Sequence, residues 1–93
     1  MEGALGLVLI HGAGLGSFIW DGVVPRVQRD TLPVEFPNRG KGDRANRDLT
    51  LHDYTEAVAK RVEAWDRGRV VLVAHSIGGC VALEVAERLG DRV

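Results

Sequence analysis

Residues 70–80 read VVLVAHSIGGC: five apolar residues run without alternation into a histidine, a serine and a pair of glycines. A strand that is apolar on both faces has to be covered on both, and sheets buried in that way are parallel, with helices crossing over between the strands. That one stretch therefore points to strands and helices in alternation. Leu5 to Ile10 reads as a second strand of the same kind, and TLPVEFP at residues 31–37 as a shorter one bounded by prolines.

Helical patterns fill the intervals. Trp20, Val23, Val24 and Val27 recur at i, i+3, i+4 and i+7, an amphipathic stripe with Pro25 inside it to kink the helix or split it in two. Thr50 followed by Asp53 resembles a capping box, and Leu51, Tyr54, Val58, Val62 and Trp65 then share one helical face. Glu56 and Lys60 add an i, i+4 pair, and Gly68 is placed to take the left-handed stop. Ala82, Val85, Ala86 and Leu89 mark a third helix after the last strand. The expected class is α/β, a three-layer sandwich with a mostly parallel sheet. Three helices scarcely cover such a sheet, and the chain stops at Val93 close to the last helical pattern, so the architecture is expected to be incomplete.

At 93 residues, with 27 % charged and 45 % hydrophobic side chains, the chain has ordinary globular usage and makes one domain at most. A net charge of −1 gives no basic field to gather nucleic acid, and no polybasic segment adjoins an apolar one to hold a membrane. Small molecules or other proteins are left as partners. The loop NRGKGDRANRD, residues 38–48, reads as a solvated surface in preference to a phosphate site built on Arg39, Lys41 and Arg44. Cys80 is the only cysteine and reads as a small buried hydrophobe on a helix, with a reducing compartment mildly preferred. The opening MEGALGLVLIHG has too short an apolar run to span a bilayer and no basic region ahead of it, so the expected location is the cytoplasm.

A serine placed directly after a buried strand and before a helix is pushed out at the carboxyl end of the sheet, where ligands of open α/β folds bind. The start of the helix aims backbone N–H groups beside it. Such a turn strains the serine backbone and needs small residues two before and two after it. Ala74 and Gly78 meet that need, with Gly79 expected to let the helix approach closely. The glycines thus make room for a sharply turned Ser76.

This small-x-Ser-x-small pattern resembles the nucleophile elbow of the α/β-hydrolase superfamily. HGAGLG at residues 11–16 follows an earlier strand, where that superfamily places its His-Gly oxyanion loop. The run HGAGLGSFIWDGVVPRV is similar to the first loop and helix of the plant methylesterase and hydroxynitrile lyase group and of related bacterial hydrolases. PNRGKGDR resembles the turn after the next strand, with Asn38 where an acid is common, and Ala74 stands where glycine is commoner. The resemblance covers residues 1–93 as the amino-terminal part of a single α/β-hydrolase domain.

The resemblance implies a serine hydrolase acting through an acyl-enzyme on a small-molecule carboxylic ester, thioester or amide. Ser76 would be the nucleophile and the N–H groups of Ala13 and Ile77 the oxyanion donors, with no metal and no cofactor. Hydroxynitrile cleavage and perhydrolysis use the same serine. In the superfamily the acid and the catalytic histidine come later than the serine, so both are expected beyond Val93, and the 93-residue chain alone is expected to be inactive. Asp43 and Asp48 precede the serine, which is the wrong chain order. His75 is expected to point into the fold, His52 to sit in the first turn of a helix, and His11 to orient the oxyanion loop by hydrogen bonds.

Other readings compete with this one. Ser76 could simply cap a helix, HGAGLG could be a plain glycine-rich connection, and Trp20 and Trp65 read as core residues. Gly12, Gly14 and Gly16 with Glu35 some twenty residues on suggest a dinucleotide-binding unit, but Ser17 stands where the third glycine of that fingerprint belongs. A ligand-binding protein on the same hydrolase scaffold is the remaining alternative.

Overall fold

β1 (Gly6–Ile10) forms the centre of a three-stranded parallel sheet, flanked by β2 (Asp30–Val34) and β3 (Val70–Ala74) in the order β2-β1-β3. This computed structural model describes residues 5–12, 15–36, 50–65 and 68–93. The central place explains the unbroken apolar run. Val8 and Ile10 face one side of the sheet and Leu9 the other, and all three are fully buried. The flanking strands are less covered among the described residues, and Val71 of β3 is 43 % exposed. Pro33, which has no N–H for a ladder, is accommodated because among the described residues β2 pairs on one side only.

β2 ends at Val34, earlier than the expected limit at residue 37. Beyond that point the chain leaves the ladder, because the Phe36 N–H donates to the side chain of His11 instead of to β1. The register sets Ile10 level with both Val34 and Ala74. All three strands therefore finish on one line.

The stripe from Trp20 to Val27 does not form the expected α-helix. Two 3-10 segments, Ser17–Trp20 and Val24–Arg26, stand there with a turn between them. Pro25 is the second residue of the second segment, within the first turn where its missing N–H has no partner to lose. The Ser17–Trp20 turn packs against the ends of β1 and β2.

α1 (Leu51–Ala64) begins at the capping box. Thr50 Oγ1 accepts from Asp53 N–H at 3.1 Å and the Asp53 carboxylate accepts from Thr50 N–H at 3.0 Å. Its buried face carries Thr55, Val58, Ala59 and Val62, while Trp65 packs half-buried against the core. Gly68 does not terminate it: the helix ends on an extended Trp65, and Arg92 donates to the carbonyls of Val62 and Trp65 at 3.2 and 3.1 Å. A glycine with positive φ stands instead at Gly90, after α2 (Gly78–Leu89), with φ of 57° and ψ of −120°.

Val81 and Val85 of α2 join Val58 and Val62 of α1 over Val8, Ile10, Val34 and Val70 of the sheet. Each such side chain contributes roughly 1.5–3 kcal/mol when fully buried. Between the helices, Thr55 Oγ1 donates to Glu84 at 2.8 Å. Among the described residues no helix is long and apolar enough to cross a membrane.

Glu56 turns to Arg88 of α2 and not mainly to Lys60. The hydrogen bond from Arg88 holds the Glu56 carboxyl below its ordinary 4.5, helped by the charges of Arg88, His52 and Lys60. A carboxyl lowered in the folded state stabilises it above the unfolded value and loses that contribution as pH falls through the folded one. Glu56→Gln should therefore lower the urea midpoint at neutral pH and narrow the difference between that midpoint and the one at about pH 4.

Candidate active site

One residue past the level ends of the strands stand His11, Glu35 and His75. The His75 N–H donates to the Ile10 carbonyl at 3.0 Å, extending the β1–β3 ladder by one bond. The chain then reverses at Ser76, whose φ of 60° makes it the one non-glycine residue with positive φ among the described residues. Left-handed backbone costs an L-residue roughly 1–2 kcal/mol. Ile77 returns to right-handed geometry, with φ of −64° and ψ of −19°, and α2 begins at Gly78.

This turn is locked by its own hydrogen bonds. Gly78 N–H donates to His75 O at 3.0 Å, Gly79 N–H to Ser76 O at 2.8 Å and Cys80 N–H to Ile77 O at 3.0 Å. The Ile77 N–H takes no part in that ladder. Ser76 does not cap α2: the capping position is Ile77, and no side chain closes it. The Ser76 residue is exposed at the carboxyl end of the sheet.

The two glycines differ in their task. A Cβ on Gly78 would lie 2.8 Å from the His11 carbonyl oxygen and 3.0 Å from that of Ile10, so the bare backbone is what lets α2 meet β1. Gly79, expected to serve close approach, has open space at that position. Gly12 is closed in from the other side: its Cβ would fall 2.9 Å from His75 Nδ1 and 3.1 Å from Ser76 Cβ. The Gly12 backbone is therefore pressed against the turn that carries the serine.

His11 is fully buried and both ring nitrogens are engaged. Nε2 accepts from the Phe36 N–H at 3.0 Å, so the ring proton is on Nδ1, which donates to the Gly12 carbonyl 2.8 Å away. Its ring also packs on Phe36, with centroids 4.3 Å apart. The expectation that His11 orients its loop by hydrogen bonds agrees with this geometry. His75 departs from expectation: it is exposed, its ring lying over Gly12, because the chain turns directly after it and carries the side chain out past the end of the sheet. Cys80 is likewise exposed, one turn into α2 on the face away from Val81.

Glu35 was legible only as a possible ribose-binding acid. Its Oε1 accepts from the Ser17 N–H at 3.0 Å, a contact that no spacing in the sequence announces. Trp20 is half-buried, and its Nε1 is shielded from solvent with no hydrogen-bond partner among the described residues. His52 lies in the first turn of α1, as expected, with its ring 3.5 Å from Glu56. Ala13 lies outside the described residues, as do Asn38, Arg39, Lys41, Asp43, Arg44 and Asp48. Among the described residues no side chain is hydrogen-bonded to the Ser76 hydroxyl. The geometry offers an exposed serine on a strained turn, the start of a helix on one side and the Gly12 backbone pressed against the other.

Comparison with known proteins places this arrangement. The pattern described as "Alpha/beta hydrolase family" matches residues 7–93. A pimeloyl-[acyl-carrier protein] methyl ester esterase of Nitrosomonas europaea is 37 % identical over 92 residues, covering 94 % of this chain and 33 % of that protein. The dihydrolipoyllysine-residue acetyltransferase component of the acetoin cleaving system of Pseudomonas putida is 30 % identical over 94 residues, covering 99 % of this chain and 25 % of that one. Among solved structures, an extracellular alpha/beta-hydrolase from a Paenibacillus species superposes with a TM-score of 0.81 at 26 % identity, over 95 % of this chain and 37 % of its own. The chain thus spans a quarter to somewhat over a third of the length of these relatives.

Proposed function

The chain belongs to the alpha/beta hydrolase family, and from that premise we propose that it is the amino-terminal part of a serine esterase domain acting on small-molecule carboxylic esters. Ser76 is the nucleophile in this reading, and the observation that carries it is the φ of 60° at an exposed serine between β3 and α2. Strain of that kind persists where function uses it.

The hydroxyl of Ser76 adds to the ester carbonyl while a base removes its proton. The N–H groups of Ile77 and Ala13 receive the oxygen as it becomes negative, each such donor contributing about 3–4 kcal/mol to the transition state. Collapse expels the alcohol and leaves an acyl group on Ser76, which water then removes. Both nitrogens of His11 are occupied, and His11, His52 and His75 all precede Ser76 where the family's base follows its serine, so the base and its orienting acid are assigned to the part of the family's domain that lies outside these 93 residues. The reaction asks for no metal and no cofactor. Esterase names among the relatives support the ester as the bond broken, and the acetyltransferase supports acyl transfer as the shared chemistry.

A fluorophosphonate probe reacts only with a serine whose base is working. Applied to the chain within its complete domain, it should label wild type at Ser76 and leave Ser76→Ala unlabelled, and the isolated 93 residues should not label. A complete domain that stays unlabelled would favour a ligand-binding scaffold instead.

A further inference from the structure

Glu35 and Phe36, the two residues that follow β2, hold both ends of the Gly12–Gly16 loop. At the entry, Phe36 N–H donates to His11 Nε2 at 3.0 Å, and the same ring donates to the Gly12 carbonyl at 2.8 Å. Gly12 O also accepts from Leu15 N–H at 3.3 Å, closing the loop on itself. At the exit, Glu35 Oε1 accepts from Ser17 N–H at 3.0 Å. The second carboxylate oxygen lies on Gly16, 2.9 Å from where a Cβ would stand, so a side chain at residue 16 would have to push the carboxylate aside.

We infer that Glu35 is a positioning residue for the oxyanion loop, fixing the exit of the segment whose Ala13 N–H receives the developing charge; this rests on the assignment of Ser76, Ala13 and Ile77 above. The Ser17 N–H opens a 3-10 segment and has no acceptor within it. A carboxylate acceptor makes that bond about twice as strong as a neutral one. Glu35 is itself exposed and outside the apolar core, so its bond holds the loop and not the sheet. A displacement of about 1 Å at a reacting group costs on the order of 100-fold in rate. The loss falls on kcat, because the donor acts on an oxygen that is charged only in the transition state.

The test compares Glu35→Met, which keeps the length and removes the acceptor, with Glu35→Gln, whose amide oxygen still accepts. Both are made in the complete domain and assayed with p-nitrophenyl acetate, fluorophosphonate labelling and far-UV circular dichroism. Glu35→Met should lower kcat by about tenfold or more with KM within about twofold, and Glu35→Gln should recover kcat to within about threefold of wild type. Labelling at Ser76 should persist in both, more slowly in Glu35→Met. An unchanged kcat in Glu35→Met, equal losses in the two variants, or an unfolded Glu35→Met would each overturn the role of Glu35 while wild-type labelling leaves the esterase reading intact. A wild-type domain that neither labels nor hydrolyses would instead remove the esterase reading, and this one with it.

Discussion

Replacing Ser76 with glycine is expected to make the protein more stable and catalytically dead. The φ of 60° that Ser76 adopts costs an L-residue roughly 1–2 kcal/mol, and glycine takes it without steric penalty. Greater freedom of the unfolded chain returns about 0.5–1 kcal/mol of that gain. Ser76→Ala keeps the strained backbone, so the glycine variant should exceed the alanine variant by up to about 1 kcal/mol. Both delete the hydroxyl, and in the complete domain both should lose activity by about four orders of magnitude or more. Thermal melts set against p-nitrophenyl ester hydrolysis separate the two effects. Equal stability of the glycine and alanine variants would show that the turn holds no strain for the serine to release.

Adjacent glycines should respond in opposite directions to the same substitution. In Gly78→Ala the new methyl meets carbonyl oxygens of His11 and Ile10 at 2.8 and 3.0 Å and Ile10 Cγ2 at 3.1 Å. Neither carbonyl can retreat easily, since Ile10 O accepts from His75 N–H and β1 is paired on both sides. The helix has to move, at a cost of about 2–3 kcal/mol. Gly79→Ala puts its methyl into open space on a helix and should gain about 0.5–1 kcal/mol. Urea midpoints of the two variants measure the contrast directly, and destabilisation by Gly79→Ala would mean that α2 sits closer to the sheet than described.

The strands were legible because continuous apolar runs leave few alternatives, and α1 because its capping box and stripe agree. The elbow could be read from Ala74, Ser76 and Gly78 together, since only small residues permit the turn. What escaped the sequence depends on neighbours distant along the chain. Which of two consecutive glycines meets β1 is decided by the angle at which α2 leaves the turn. The stop of α1 is made by Arg92, whose donors reach back across to Val62 and Trp65. His75 could have pointed either way from the end of its strand, and the reversal at Ser76 turned it outward. Glu35 carries no periodic signal at all, and its use follows from the register that sets Val34 level with Ile10. Pro25 did announce a break in the stripe after Trp20, but not that both pieces would tighten to 3-10 geometry.

The strand order has a further consequence for how the chain assembles. Gly6 of β1 pairs with Asp30 and with Val70, partners about 24 and about 64 positions later, and the longer closure loses roughly 0.9 kcal/mol more chain entropy. During synthesis β2 also emerges first. The half of the site built from His11, Glu35 and Phe36 can therefore settle while β3 is still unmade, and the serine follows it, forced into its turn by docking onto a receptor edge that is already in place.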